Sequence, residues 1–245
     1  MIVSKRQACL LTVTPSLMIR RALALSFVTR LDAAWPPGYI EGVKREHPMS
    51  HSNILAVYQL ASAAEVTEGK AWYARAYNIA CELQTRYGVA RNKCAGVIAA
   101  LSPRNKWERN VLDAENLLQA WNAGRAEGCA TVKVCTFGGN KAKAVRILEL
   151  DCPSDEAIMN VLSGPKLREF YSCIAGMDDE VCIDGHAYSI WTGGRVTLAN
   201  VPSIGKKVRQ QIKNDYIVAA AQAGIFPCEM QAITWCAWRR IHGVG

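Results

Sequence analysis

The sequence predicts an all-α protein on three observations. Apolar residues recur at helical spacing from residue 52 onward. No stretch of alternating apolar and polar residues is long enough to build a sheet. Glycines, prolines and capping-type residues punctuate the chain at helix-length intervals.

In "GKAWYARAYNIACELQTRYG", Trp72, Ala76, Ile79 and Leu83 fall on one apolar face, and Gly88 ends the helix. "CAGVIAALS" is continuously apolar, which suits a buried helix or a strand. "NVLDAENLLQAWNAG" carries Val111, Ala114, Leu117, Leu118 and Trp121 on one face and stops at Gly124. "NKAKAVRILEL" is a shorter amphipathic helix; Asp151 to Ser154, with Pro153, is a turn, and "DEAIMNVL" resumes helix. In "SGPKLREFYSCIAGM", Ser163 is the expected N-cap and Pro165 suits the first turn. Leu167, Phe170, Tyr171 and Ile174 form its buried stripe. "WTGGRVTLANVPSIG" is loop, and "KKVRQQIKNDYIVAAAQAG" and "CEMQAITWCAWRRIHG" are the closing helices.

The chain has 245 residues, 50% of them hydrophobic and 20% charged, as in a globular protein of one domain or two lobes. No apolar run reaches the roughly 18–20 residues that span a bilayer. The net charge of +8 favours an acidic partner, nucleic acid first. Half of the excess lies in residues 1–48, which hold seven Lys/Arg and three Asp/Glu, so the body is only mildly basic. The ten cysteines include no CxxC pair and sit mostly in apolar helical patterns. Reduced thiols in a cytoplasm are therefore expected, and neither a disulfide framework nor a zinc site. The four histidines show no metal-ligand spacing.

Residues 1–48 stand apart as an N-terminal extension, with no acidic residue before Asp32. They fit an over-extended start, with Met49 as the natural one and Lys44, Arg45 and Glu46 compatible with purine-rich codons before it. They also fit a mitochondrial-type presequence, the less favoured reading.

Two residues in the chain's middle invite chemistry. Lys166 lies at a helix start; the helix dipole, together with burial beside Leu167 and Phe170, would favour the neutral, nucleophilic amine. A solvated lysine paired with Glu169 is the plainer alternative. Asp184, eighteen residues later, follows an apolar run and precedes "GHAYSIW". It suits an N-cap, and a carboxylate so held can also stabilise a developing cation. His186 reads more simply as packing or capping. "ALSPRNKWERN" gathers Arg104, Asn105, Lys106, Trp107 and Arg109, a mixture able to contact phosphates and stack on bases, or else an ordinary polar loop with Trp107 in the core.

In order, these segments resemble the helix-hairpin-helix (HhH-GPD), endonuclease III-like DNA glycosylases, over about Ala95 to Gly243. "GVIAALSPRN" looks like the family helix ending in Leu-Ser before the loop that fills the gap left by a flipped base. Arg104 falls where members often carry Gln. "GGNKAKAVRIL" is similar to "Y-N-x-K-A-x-x-I", "LSGPK" to the hairpin "L-P-G-V-G-x-K", "VCIDGHAYSI" to "V-D-T-H-V", and "QAITWCAWRRIHG" to "H-x-x-L-I-x-H-G". The family's lysine and aspartate are also eighteen residues apart. Leu162 replaces the first hairpin glycine, and Pro165 removes a backbone N–H, so phosphate grip there should be weaker. "VPSIGKK" matches the hairpin better locally, but no carboxylate lies near eighteen residues after Lys207.

The resemblance implies a two-lobed fold with the active site between the lobes. Lobe A covers about 91–180; lobe B covers about 49–90 plus 181–245. It implies a base-excising DNA glycosylase, with AP-lyase activity if Lys166 acts as nucleophile and Asp184 as the essential carboxylate. Ser102, Arg104, Asn105, Lys106, Lys141, Gly164, Lys206, Lys207 and Arg209 would contact DNA, and Trp107, His186 and Trp235 would line the base pocket. The partner would be double-stranded DNA bound by a monomer, with no iron–sulfur cluster and no other cofactor. Two other readings remain open: a base-modifying transferase of the same fold, as in phage DNA hypermodification, and a non-enzymatic helical DNA-binding module.

Overall fold

The computed structural model describes residues 50–243, and the expectations for residues 1–48 lie outside them. The described residues form α-helices joined by turns and loops, with no strand among them. The apolar run after Arg91 is thus helix, not strand.

The helices are α1 His51–Gln59, α2 Ala63–Tyr87, α3 Arg91–Leu101, α4 Trp107–Ala130 and α5 Gly138–Glu149. They continue as α6 Asp155–Val161, α7 Pro165–Ile174, α8 Gly185–Thr192, α9 Lys206–Ala223 and α10 Pro227–His242. Local chemistry sets their ends. Ser62 and Glu65 form a reciprocal capping box at the start of α2, and Gly88 ends it in the left-handed conformation. The Ser154 side chain caps α6 by accepting from the Ala157 N–H. α4 breaks at Gly124 and Arg125, where the sequence placed its end, and resumes as a short piece to Ala130.

The expected Ser163 cap is corrected. The N-cap of α7 is Gly164, at φ 90°, and its side of the turn offers no side-chain cap. That positive φ suits glycine, whereas a serine there would be strained. Pro165 does occupy the first turn.

Packing divides the interior into two apolar clusters. α3 is the axis of the first. Every residue from Cys94 to Leu101 is buried, and α2, α4, α5 and α7 pack around it. The second gathers α1, α8 and α9 around Ile54, Trp191, Ile212 and Tyr216. α10 serves both, giving Cys228 and Ala232 to the first and Met230, Ala237 and Trp238 to the second. α10 lies along α2 at a close approach, because a Cβ on Gly69 would stand 2.6 Å from the Ile233 backbone.

The link before α8 runs along the seam between the clusters. Val181 and Ile183 pack into the second and Cys182 into the first. Such alternation belongs to extended backbone. It delivers Asp184 to the boundary.

The His242 ring lies tilted against Trp238, with ring centroids 4.0 Å apart and planes at 56°. Burial, then the charge of Arg195 and then His186, hold its imidazole below the usual 6.5. A base whose folded value is depressed resists the proton that the unfolded chain accepts, so stability falls as pH drops through 6.5 and the loss is complete below the folded value. The wild-type melting temperature should therefore fall more than that of His242→Gln between pH 7.5 and roughly 5. Parallel curves would remove His242 from the account.

Candidate functional site

A cleft of about 640 Å³ opens beside the seam, within the size range of ligand pockets. Four segments meet there: the mid-part of α2, the loop from Ser102 into α4, the start of α7, and the link into α8, with α10 as the far wall.

Lys166 and Asp184 both line it. Lys166 is the second residue of α7 and is exposed. Burial beside Leu167 and Phe170 therefore does not bear on its amine, which corrects the expectation. Nor is Glu169 its partner, as described below. Asp184 is the N-cap of α8, and its Oδ1 accepts from the Ala187 N–H at 2.9 Å. Between them sits Cys182, whose thiol donates to the Lys166 carbonyl oxygen at 3.9 Å. Burial pushes this thiol well up; Asp184 adds to the rise and Lys166 opposes it. The amine and the carboxylate thus act on one buried group from two elements.

A clasp behind Asp184 fixes the link. Ile183 N–H donates to Glu169 Oε2 at 2.9 Å. Arg209 Nη1 donates to the same oxygen at 2.6 Å and to the Ile183 carbonyl at 3.0 Å. Both backbone polar groups of the residue before Asp184 are therefore held by one Glu–Arg pair, buried to 11% and 15% side-chain exposure. Burial raises the Glu169 carboxyl, and the Ile183 N–H and Arg209 pull against it. Arg209, expected to hold phosphate, is a structural ion-pair partner instead.

The other expected residues divide. Ser102, Asn105, Lys106, Trp107, His186 and Trp235 line the same cleft as Lys166 and Asp184. Arg104 stands outside its lining, stacked 5.3 Å above the exposed Phe137 ring. Its φ of 56° is unusual for a non-glycine residue. The Thr136 hydroxyl donates to the Pro103 carbonyl and so ties these two loops together. Lys141 does not reach the cleft; its ammonium donates to the carbonyls of Ala130 and Val132. Gly164 borders a separate depression with Arg168 and Glu180. Lys206 and Lys207 are exposed at the start of α9, away from the cleft lining.

Several lining residues were not singled out from the sequence. Trp72, Tyr73 and Phe170 form an aromatic wall together with the expected Trp107, with Trp72 and Trp107 centroids 4.9 Å apart and Trp72 and Phe170 6.0 Å apart. The Tyr73 hydroxyl donates to Gln231 Oε1 at 2.9 Å. Burial first, then neighbouring thiols and Asp184, raise this phenol far above its usual range, so it stays protonated and donates. The Arg239 guanidinium lies 4.3 Å from the Trp235 ring centroid at the cleft's edge. Gln231 was legible as a polar residue between Met230 and Ala232 on a buried face. Trp72 and Phe170 were not, because periodicity alone does not tell a core-facing stripe from a cleft-facing one.

Among the described residues no group of three His, Cys, Asp or Glu side chains is placed to hold a metal ion. No helix among them is long and apolar enough to cross a membrane.

No curated protein and no solved structure matches the chain. A family described as a family of unknown function, DUF7178, matches residues 41–242. The match spans most of the chain, and the protein belongs to the DUF7178 family.

Proposed function

We propose that the protein is a DNA glycosylase of helix-hairpin-helix type that flips a base into the cleft and cleaves its N-glycosidic bond. One observation carries this reading: Lys166, Asp184 and, from the loop that enters α4, Ser102, Asn105, Lys106 and Trp107 line a single cleft walled by aromatic rings. An extruded base needs such a wall to replace the stacking it loses.

The chemistry follows from that placement. The Asp184 carboxylate stabilises positive charge as the bond from C1′ to the base lengthens. The Lys166 amine attacks C1′, and the base departs, taking up a proton. Loss of the second amine proton and opening of the sugar ring leave an imine between Nζ and C1′. Removal of a C2′ proton then breaks the C3′–O bond, which is β-elimination of the strand. Arg104 and Phe137, paired with each other in the segments next to the cleft-lining Ser102 and Asn105, supply a cation and a ring to fill the gap in the duplex. Lys106, Lys206 and Lys207 supply exposed charge for phosphates, a contribution that weakens with salt.

A panel of duplexes, each carrying one damaged or modified base, tests the reading by mass spectrometry. Release of a free base from at least one duplex is expected. A gain of mass on the DNA in place of base release would transfer the reading to a base-modifying enzyme. Neither outcome, with DNA binding retained, would leave a binding module.

A further inference from the structure

Two exposed side chains, Arg104 and Phe137, meet from different loops, and one buried carboxylate holds both loops. Arg104 is at φ 56°, a left-handed conformation that strains a residue other than glycine. Phe137 is the N-cap of α5 and is 57% exposed. The Arg104 guanidinium nonetheless lies over its ring, 5.3 Å from the centroid. A strained backbone of this kind persists only where its surroundings fix it.

Asp113 does the fixing. It is fully buried in α4 and lies outside the cleft lining. A single oxygen, Oδ2, accepts from both loops: from Asn105 Nδ2 at 3.0 Å and from the Cys135 N–H at 2.7 Å. Asn105 directly follows Arg104, and Cys135 shortly precedes Phe137. The other oxygen, Oδ1, accepts from Arg109 Nε at 2.7 Å, one turn earlier on the same helix, which fixes the rotation of the carboxylate. Two further bonds complete the frame. The Asn105 N–H donates to the Ser102 carbonyl at 3.1 Å and closes the turn that carries Arg104. The Thr136 hydroxyl donates to the Pro103 carbonyl at 2.9 Å.

We infer that Asp113 is a positioning residue that builds Arg104 and Phe137 into one preformed wedge for duplex DNA with a vacated base position. This inference rests on the reading of the protein as one that flips a base, and it does not require that the base be excised. Two loose side chains would lose their freedom at the moment they enter the duplex, which weakens binding. Side chains whose loops are already tied to one oxygen have lost much of it on folding. Because Asp113 is sealed inside the protein, it acts on DNA only through the two loops.

The test is equilibrium binding, by fluorescence anisotropy at one salt concentration, to a duplex with one tetrahydrofuran abasic site and to the same duplex intact. The ratio of the two affinities reads the wedge, and the wild type should prefer the gapped duplex. Asp113→Ala should reduce that preference by about tenfold, the ordering cost of two side chains, with binding to the intact duplex unchanged. Asp113→Asn keeps an oxygen that can accept from both loops and should retain the preference. Phe137→Ala should also reduce it, and the double variant should lose little more than either single one, since both remove the same wedge. If Asp113→Ala does not fold, Thr136→Val, which unties the loops and leaves Asp113 in place, should lower the ratio in its stead.

No preference in the wild type, an unchanged ratio in the folded loop variant, equal weakening on both duplexes, or additive losses with Phe137→Ala would overturn the inference. So would a loss in Asp113→Asn as large as in Asp113→Ala, which would make the charge the cause and not the loop contacts. Base release without any gap preference overturns this inference alone and leaves the glycosylase reading standing. A gap preference that depends on Asp113, with no base released from any duplex, supports the inference and removes the glycosylase reading. Failure to bind either duplex overturns both.

Discussion

Asp184→Asn is expected to slow base release by about 10²–10³-fold while leaving the fold nearly unchanged. The separation follows from the two jobs of this side chain. As N-cap it only has to accept from the Ala187 N–H, and asparagine caps helices as well as aspartate does. The stability change should stay within about 1 kcal/mol, chiefly the lost attraction between a carboxylate and the helix dipole. As electrostatic partner of a positively charged sugar, an uncharged amide is a poor replacement. Single-turnover release measured beside a urea melt separates the two. A variant that keeps full activity would reduce Asp184 to a cap. One that unfolds would show that the charge itself holds the link.

Glu169→Ala should be the most damaging change to stability, at about 3–5 kcal/mol. The Arg209 guanidinium would stay buried without its counter-charge, and the Ile183 N–H would lose its acceptor. Glu169→Gln keeps an acceptor for Ile183 and should cost less. Because the clasp holds both polar groups of the residue before Asp184, loosening it should also lower activity before the protein unfolds. Denaturant titration of the three proteins measures the first effect. A loss under about 1 kcal/mol for Glu169→Ala would place this ion pair with ordinary surface pairs.

The local features were the legible ones. Gly88 ends α2 and Pro165 opens α7 because the chemistry acts within a few residues. Asp184 caps α8 for the same reason. Ser163 misled because the turn needs φ 90°, a demand that lands on Gly164. Arg209 misled for a different reason. Its partner Glu169 lies forty residues away in the chain, and nothing in the sequence distinguishes an arginine held by a buried carboxylate from one free to meet phosphate. Lys141 fails likewise, since the carbonyls of Ala130 and Val132 that occupy it become available only where α4 ends. Asp113 was within reach: with Ala114, Leu117 and Trp121 it completes a buried face at helical spacing. A carboxylate on such a face must find donors, although the sequence does not show which loops bring them.

Borohydride trapping tests the central claim most directly. Reduction of the imine carbon by hydride turns a transient Lys166–C1′ linkage into a permanent amine, so a covalent protein–DNA adduct should accumulate on a substrate duplex. Peptide mapping should place the adduct on Lys166, and Lys166→Ala should yield none. An adduct that persists in Lys166→Ala, or base release by the wild type with no adduct trapped, would contradict the assignment of Lys166 as the nucleophile.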